Sequence, residues 1–173
     1  FGGLAVAIRL LAEGHDVTIV ERRATVGGRA SQIRDAGYTW DTGPSLITMP
    51  ELFDELFRLG GSSLEAEVRL HELDPMYRIY WTDDERYFDF TTNVDSLRSQ
   101  MAAFNVFDAA NLDRFLAATK RIHEEGILVA GRKPFLRAWD FAGLVPKMAG
   151  LDSIRFLGSY VAKYFKDPRI RQV

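Results

Sequence analysis

Apolar residues recur at helical spacing from the start of the chain: Leu4, Ala5, Ile8 and Leu11 share one face. Ala5 and Ala7 are small enough to let that helix lie close to a sheet. Glu13-Gly14-His15 ends it, with Gly14 suited to a left-handed cap. The short apolar run Val17-Thr18-Ile19-Val20 then predicts a buried strand over residues 16–20. Ser31–Arg34 and Gly37–Trp40 read as two short strands about a turn at Asp35-Ala36-Gly37. Thr48-x-x-Glu51 has the form of a capping box, with Pro50 tolerated in the first turn. Behind it Leu52, Phe53, Leu56, Phe57 and Leu59 make the apolar face of a helix that Gly60-Gly61 stops. Val68–Leu73, Met76–Trp81 and Arg86–Phe90 predict further strands, the last two flanking the polar tip Thr82-Asp83-Asp84-Glu85.

From Asn93 the period changes to that of helices. Leu97, Met101 and Phe104 mark one face; Leu112, Phe115, Leu116, Thr119 and Ile122 mark another, beginning near Asp108. The change places a boundary at about residue 91: residues 1–90 form a mixed α/β part and residues 91–173 a helical part.

Composition alters this picture little. Apolar residues at 47% and charged residues at 27% are those of a globular chain. The absence of cysteine excludes disulfides, thiolate metal sites and cysteine nucleophiles within the sequence. No histidine has a partner at metal-ligand spacing, so no metal site is expected. No apolar run approaches the roughly 18 residues of a membrane span. Charge, in contrast, is uneven. Residues 1–131 carry 13 Lys/Arg against 21 Asp/Glu, and residues 132–173 carry 9 against 3. In the basic part Arg132, Lys133, Arg137, Lys147, Arg155, Lys163 and Lys166 interleave with Phe135, Trp139, Phe141, Phe156, Tyr160, Tyr164 and Phe165. That pattern fits a nucleic-acid groove, a membrane surface, or amphipathic helices about a core.

The candidate chemistry lies before residue 46. An apolar run that ends on an acid, Glu21, after a helix that begins at glycines is the second half of a dinucleotide-binding βαβ unit. Glu21 stands 18 positions past Gly3, near the spacing of about 20 that reaches a ribose hydroxyl. The fingerprint's first strand and first two glycines are not in the sequence, so Phe1 is read as falling inside the motif, with Gly2 and Gly3 at the mouth of the first helix. A helix N-terminus built of small residues looks the same. The second glycine pair, Gly27-Gly28 followed by Arg29, decides more. A nicotinamide cofactor has no need of it, whereas the long diphosphate of FAD is met by a second backbone approach and a fixed cation. In Asp41-Thr42-Gly43-Pro44-Ser45, Gly43 allows a close approach to a flat ring and Pro44 stiffens the turn.

Glu21, Arg23 and Gly28-Arg29, followed by Asp41-x-Gly43-Pro44, resemble the flavin amine oxidase superfamily. The wording of residues 1–10 and 41–48, Phe104-Asn105, Lys133-Pro134-Phe135-Leu136 and the region of Asp167 is similar to the bacterial-type phytoene desaturases. The resemblance runs along nearly the whole chain and covers about the first third of such a protein. It implies a Rossmann-like FAD-binding domain, incomplete here, joined to a mostly helical part that faces substrate and membrane. It implies FAD as cofactor, held by Gly2, Gly3, Glu21, Arg23, Gly28, Arg29, Gly43, Pro44 and Ser45, with Arg23 near the adenosine-side phosphates. It implies desaturation of phytoene or a C30 analogue, an apolar polyene, with a quinone or oxygen as final acceptor. It also implies a cytoplasmic protein held peripherally on a membrane, with no nucleic-acid partner. Asp140 is the one candidate for a polar group near the substrate. Carotenoid isomerases and oxygenases and retinol saturase share the flavin segment. Rab GDP-dissociation inhibitors share the fold without the flavin and are expected to lack Glu21 and Gly-Gly-Arg.

Overall fold

The computed structural model describes residues 1–44, 46–152 and 155–173. Their contacts fall into two compact units, Phe1–His71 and Glu72–Val173. The division comes earlier than the change of period near residue 91, because the hairpin before that point packs on the helix after it.

In the first unit, helix α1 (Gly2–Ala12) ends as expected, with Gly14 at φ +86°. Strands β1 (Gln32–Asp35) and β2 (Tyr38–Asp41) pair antiparallel, Gln32 opposite Asp41 and Asp35 opposite Tyr38. Ala36 and Gly37 both take positive φ, the two-residue turn whose twist suits a hairpin. Helix α2 (Pro50–Leu59) is followed by the single turn α3 (Leu64–Glu67). Arg9 pairs with Glu55 at 2.7 Å, and the Phe1 and Phe53 rings meet edge-on, which sets α1 beside α2. Between them an apolar groove of about 570 Å³ stays open, floored by Leu4, Ile8, Leu52, Leu56 and Phe57.

Three expectations fail here. Residues 16–20 and 68–73 take no strand hydrogen bonds. A strand needs a neighbour to satisfy its backbone, and none of the described residues supplies one. Ile19 and Val20 are accordingly 53% and 91% exposed, although their sequence reads as core. The capping box does not form either. Pro50 has no N–H to leave unsatisfied and takes the first helical position, so Met49, at φ +58°, is the cap residue and Thr48 falls outside.

In the second unit β3 (Tyr77–Tyr80) pairs antiparallel with β4 (Tyr87–Phe90), Ile79 opposite Phe88. Helices α4 (Val94–Phe104), α5 (Val106–Ala110) and α6 (Leu112–Ile122) follow, and α6 runs into a π-helical turn over His123–Val129. The Asn93 and Asn105 side chains cap α4 and α5. The short helices α7 (Ala138–Ala142), α8 (Val145–Gly150) and α9 (Leu157–Val161) complete the unit. Phe88, Leu97, Met101, Ala109, Leu112, Phe165 and Ile170 form its core.

Two polar ties close this unit. The Asp108 carboxylate is wholly buried and accepts the Lys166 N–H at 2.8 and 2.9 Å and the Asp167 N–H at 2.8 Å. At the β3–β4 tip, Asp84 is bonded by the side chain and backbone N–H of Arg86 and lies 3.1 Å from Arg169. Those donors hold its carboxyl down at about 2. Tyr160 packs near Phe115 and Tyr164, and burial, then its hydrogen bond with Tyr164, pushes its hydroxyl up to about 12.

Candidate functional site

The first unit carries a cleft of about 660 Å³ walled by stretches far apart in sequence. Gly3 and Leu4 come from the start of α1, Ile19, Val20 and Glu21 from the apolar run, Val26–Ala30 from the glycine turn, and Thr42–Pro44 from the end of β2. Of the residues singled out from sequence, Gly3, Glu21, Gly28, Arg29, Gly43 and Pro44 meet on it. Gly2 and Arg23 do not form part of its wall. Ser45 lies outside the described residues.

The β1–β2 ladder builds the meeting point. Past its last pair, the Thr42 N–H donates to the Ser31 carbonyl at 2.9 Å, and the Thr42 hydroxyl donates to the same oxygen at 2.8 Å. This draws residues 42–44 alongside the glycine turn, which the Ala30 N–H closes on the Gly27 carbonyl at 3.0 Å. Gly27 (φ +120°) and Gly28 (φ +61°) lie in the left-handed region that glycine favours. Gly43 has another reason to be glycine. A β-carbon there would collide with the Arg29 carbonyl and stand 2.7 Å from the Ala30 Cα. The crowding at Gly43 is thus with the protein's own backbone, where the sequence pointed to a flat ring.

The wall is polarised. The first N–H groups of α1 have no intrahelical partner, no side chain caps them, and no acid stands in the first turn. That end of the helix is positive. Arg29 is exposed, and no hydrogen bond or ion pair of its side chain is found among the described residues. Glu21 supplies the one negative charge in the wall; its Oε1 accepts the Arg23 N–H at 2.8 Å. The Arg23 guanidinium donates to the Gly28 carbonyl at 2.8 Å. Gly2 and Gly3 have helical backbones, and a β-carbon on either meets nothing within 4 Å. Each weakens the helix by about 1 kcal/mol relative to alanine, and nothing among the described residues requires either.

These features suit one ligand chemistry. An acid accepts from vicinal hydroxyls, and a free cation and open N–H groups receive a diphosphate. Residues 1–170 match the family of flavin containing amine oxidoreductases. The chain belongs to that family. Within it, the chain is 38% identical over 172 residues to a lycopene-forming phytoene desaturase of Pantoea ananas, covering 99% of this chain and 35% of that protein. It is 30% identical over 175 residues to a carotenoid 3,4-desaturase of Haloarcula japonica, again 99% of this chain and 35% of the other. It is 27% identical over 175 residues to a 4,4'-diapolycopene oxygenase of Methylomonas, with the same shares. The chain therefore spans about a third of the length of the curated relatives it matches.

The donor set of this wall is compatible with a flavin dinucleotide: Gly3 and Gly28 leave open space beside them, and Arg29 has no side-chain partner among the described residues. Asp140 lies in the other unit. Its carboxylate accepts the Arg137 N–H at 3.0 Å and closes the first turn of α7, a capping role. Sequence reasoning missed Ile19, Val20, Val26 and Thr42 as parts of the cleft. The apolar members read as strand or loop, and only Thr42, directly behind a strand, carried a signal.

Proposed function

We propose that this chain supplies the adenosine and diphosphate side of the FAD site in a carotenoid desaturase acting on phytoene or a C30 analogue. The observation that carries the reading is the meeting of Gly3, Glu21, Gly28, Arg29, Gly43 and Pro44 on one cleft. In this reading residues 1–90 belong to a Rossmann-like FAD-binding domain and residues 91–173 to a helical substrate domain. The N–H groups at Gly2 and Gly3 and the Arg29 guanidinium receive the diphosphate. Glu21 accepts from the ribose and repels a cofactor with a 2′-phosphate. Gly43 and Pro44 stand toward the flavin ring. Bound FAD supplies a hydride acceptor, later reoxidised by a quinone or oxygen.

The protein's own task is to hold an apolar polyene dry and in register while a hydride leaves one carbon and a proton its neighbour. That task needs no strong base. Asp140, occupied as a helix cap, is given no catalytic part.

For localisation, no helix among the described residues is long and apolar enough to cross a membrane. Leu136, Trp139, Phe156 and Leu157 are 84%, 67%, 88% and 78% exposed. With Lys133 and Arg137 close by in sequence, they support peripheral attachment to the cytoplasmic face of an anionic membrane.

The test is an absorbance spectrum of the full-length enzyme before and after anaerobic addition of phytoene in liposomes. The expected outcome is a flavin spectrum that bleaches as conjugated polyene bands grow. A flavin spectrum unchanged by phytoene would move the activity toward an oxygenase, the reading favoured by the Methylomonas relative. Absence of flavin would overturn the cofactor assignment.

A further inference from the structure

We infer that Arg23 is a positioning residue, which sets the shape of the cleft wall and leaves the diphosphate to Arg29. The inference rests on the flavin reading above. Arg23 reaches two parts of the wall without lining the cleft itself. Its backbone N–H engages Oε1 of Glu21 at 2.8 Å, which fixes that carboxylate and leaves the second oxygen to accept from a ribose. Its guanidinium engages the Gly28 carbonyl at 2.8 Å. A trans peptide is planar, and its C=O and N–H point to opposite sides. Tying the Gly28 carbonyl back to Arg23 therefore turns the Arg29 N–H the other way.

That N–H has no partner among the described residues, and neither has the Arg29 side chain. The Ala30 N–H closes the turn on the Gly27 carbonyl, and Gly28, at φ +61°, has open space around it. The bond from Arg23 is a second tie, made to the carbonyl of the turn's central peptide. One side chain thus aligns both ends of the wall: the acid for the ribose and the peptide that presents the free cation.

The two roles open to an arginine here differ in their response to salt. A direct phosphate contact is screened, and its removal flattens the dependence of affinity on ionic strength. Removal of a hydrogen bond to a neutral carbonyl does not. The experiment measures the FAD dissociation constant of the full-length enzyme by flavin fluorescence at several salt concentrations, for Arg29→Met, Arg23→Met and Arg23→Gln. Arg29→Met is expected to flatten the salt dependence. Arg23→Met should weaken binding about tenfold at every salt concentration with the slope of the parent, the worth of one such bond. Arg23→Gln, which keeps a donor and loses the charge, should recover part of the affinity with the same slope. It carries the same comparison if Arg23→Met fails to fold.

A slope flattened by either Arg23 substitution as much as by Arg29→Met would make Arg23 a phosphate ligand and overturn the inference. So would an affinity untouched by Arg23→Met. If Arg29→Met weakens binding while the Arg23 variants do not, the inference alone falls. If the parent binds no FAD, the flavin reading falls with it.

Discussion

Gly43 sits where two backbone segments touch. Its hydrogen in place of a side chain lets residues 42–44 lie against Arg29 and Ala30. Gly43→Ala forces apart two segments that the Thr42–Ser31 bonds hold together. The expected loss is about 1–3 kcal/mol, read as a lower melting temperature and reduced flavin content of the full-length enzyme. Gly28→Ala meets no atom within 4 Å and is strained only by its φ, so its melting temperature should fall less. The glycines were legible from sequence because doubled or isolated glycine beside Arg29 and Pro44 is a rare pattern. The reason for Gly43 was not, since it depends on which backbone lies opposite. The bond from Arg23 to Gly28 was also hidden. A side chain reaching a carbonyl five residues on leaves no periodic trace in the sequence.

At the scale of elements, helices with their own caps were readable and strands without neighbours were not. Asn93 and the faces of α4 and α6 announce those helices, because helix bonds are local and the apolar stripe follows from the period. Residues 16–20 and 68–73 have strand composition, but pairing depends on a partner that no local pattern contains. Asp108 shows the same limit from the polar side. It follows Asn105 at capping spacing, yet it serves backbone 58 and 59 residues away. Asp108→Ala leaves the Lys166 and Asp167 N–H groups unpaired. A loss of roughly 3 kcal/mol is expected from bonds to a charged acceptor, seen as a lower denaturant midpoint. Amide exchange at Lys166 and Asp167 should rise well above that of α4. Unaltered exchange there would mean that the aromatic packing around Phe165 alone holds the segment.

At the scale of the whole molecule, charge and apolar exposure coincide in residues 132–173, where 9 Lys/Arg stand against 3 Asp/Glu. Part of that charge is satisfied internally: Lys147 lies 3.8 Å from Glu125, and Arg155 and Lys163 share Asp152. The proposed attraction to an anionic leaflet is therefore smaller than the roughly 1 kcal/mol per cation of free side chains. In flotation with anionic vesicles, the full-length enzyme should detach as salt is raised, and Trp139→Ala with Phe156→Ala should lower the salt needed. Attachment indifferent to salt would place the anchor elsewhere. The carboxylate of Asp108 has a last consequence, in time. On the ribosome, Lys166 and Asp167 follow it by 58 and 59 residues, about 3–12 s of synthesis at 5–20 residues per second. Until they emerge, α5 waits with its acceptor in water, and β4, α4 and α6 have no Phe165 or Ile170 to close on. The second unit thus completes its core only once that short backbone segment has arrived.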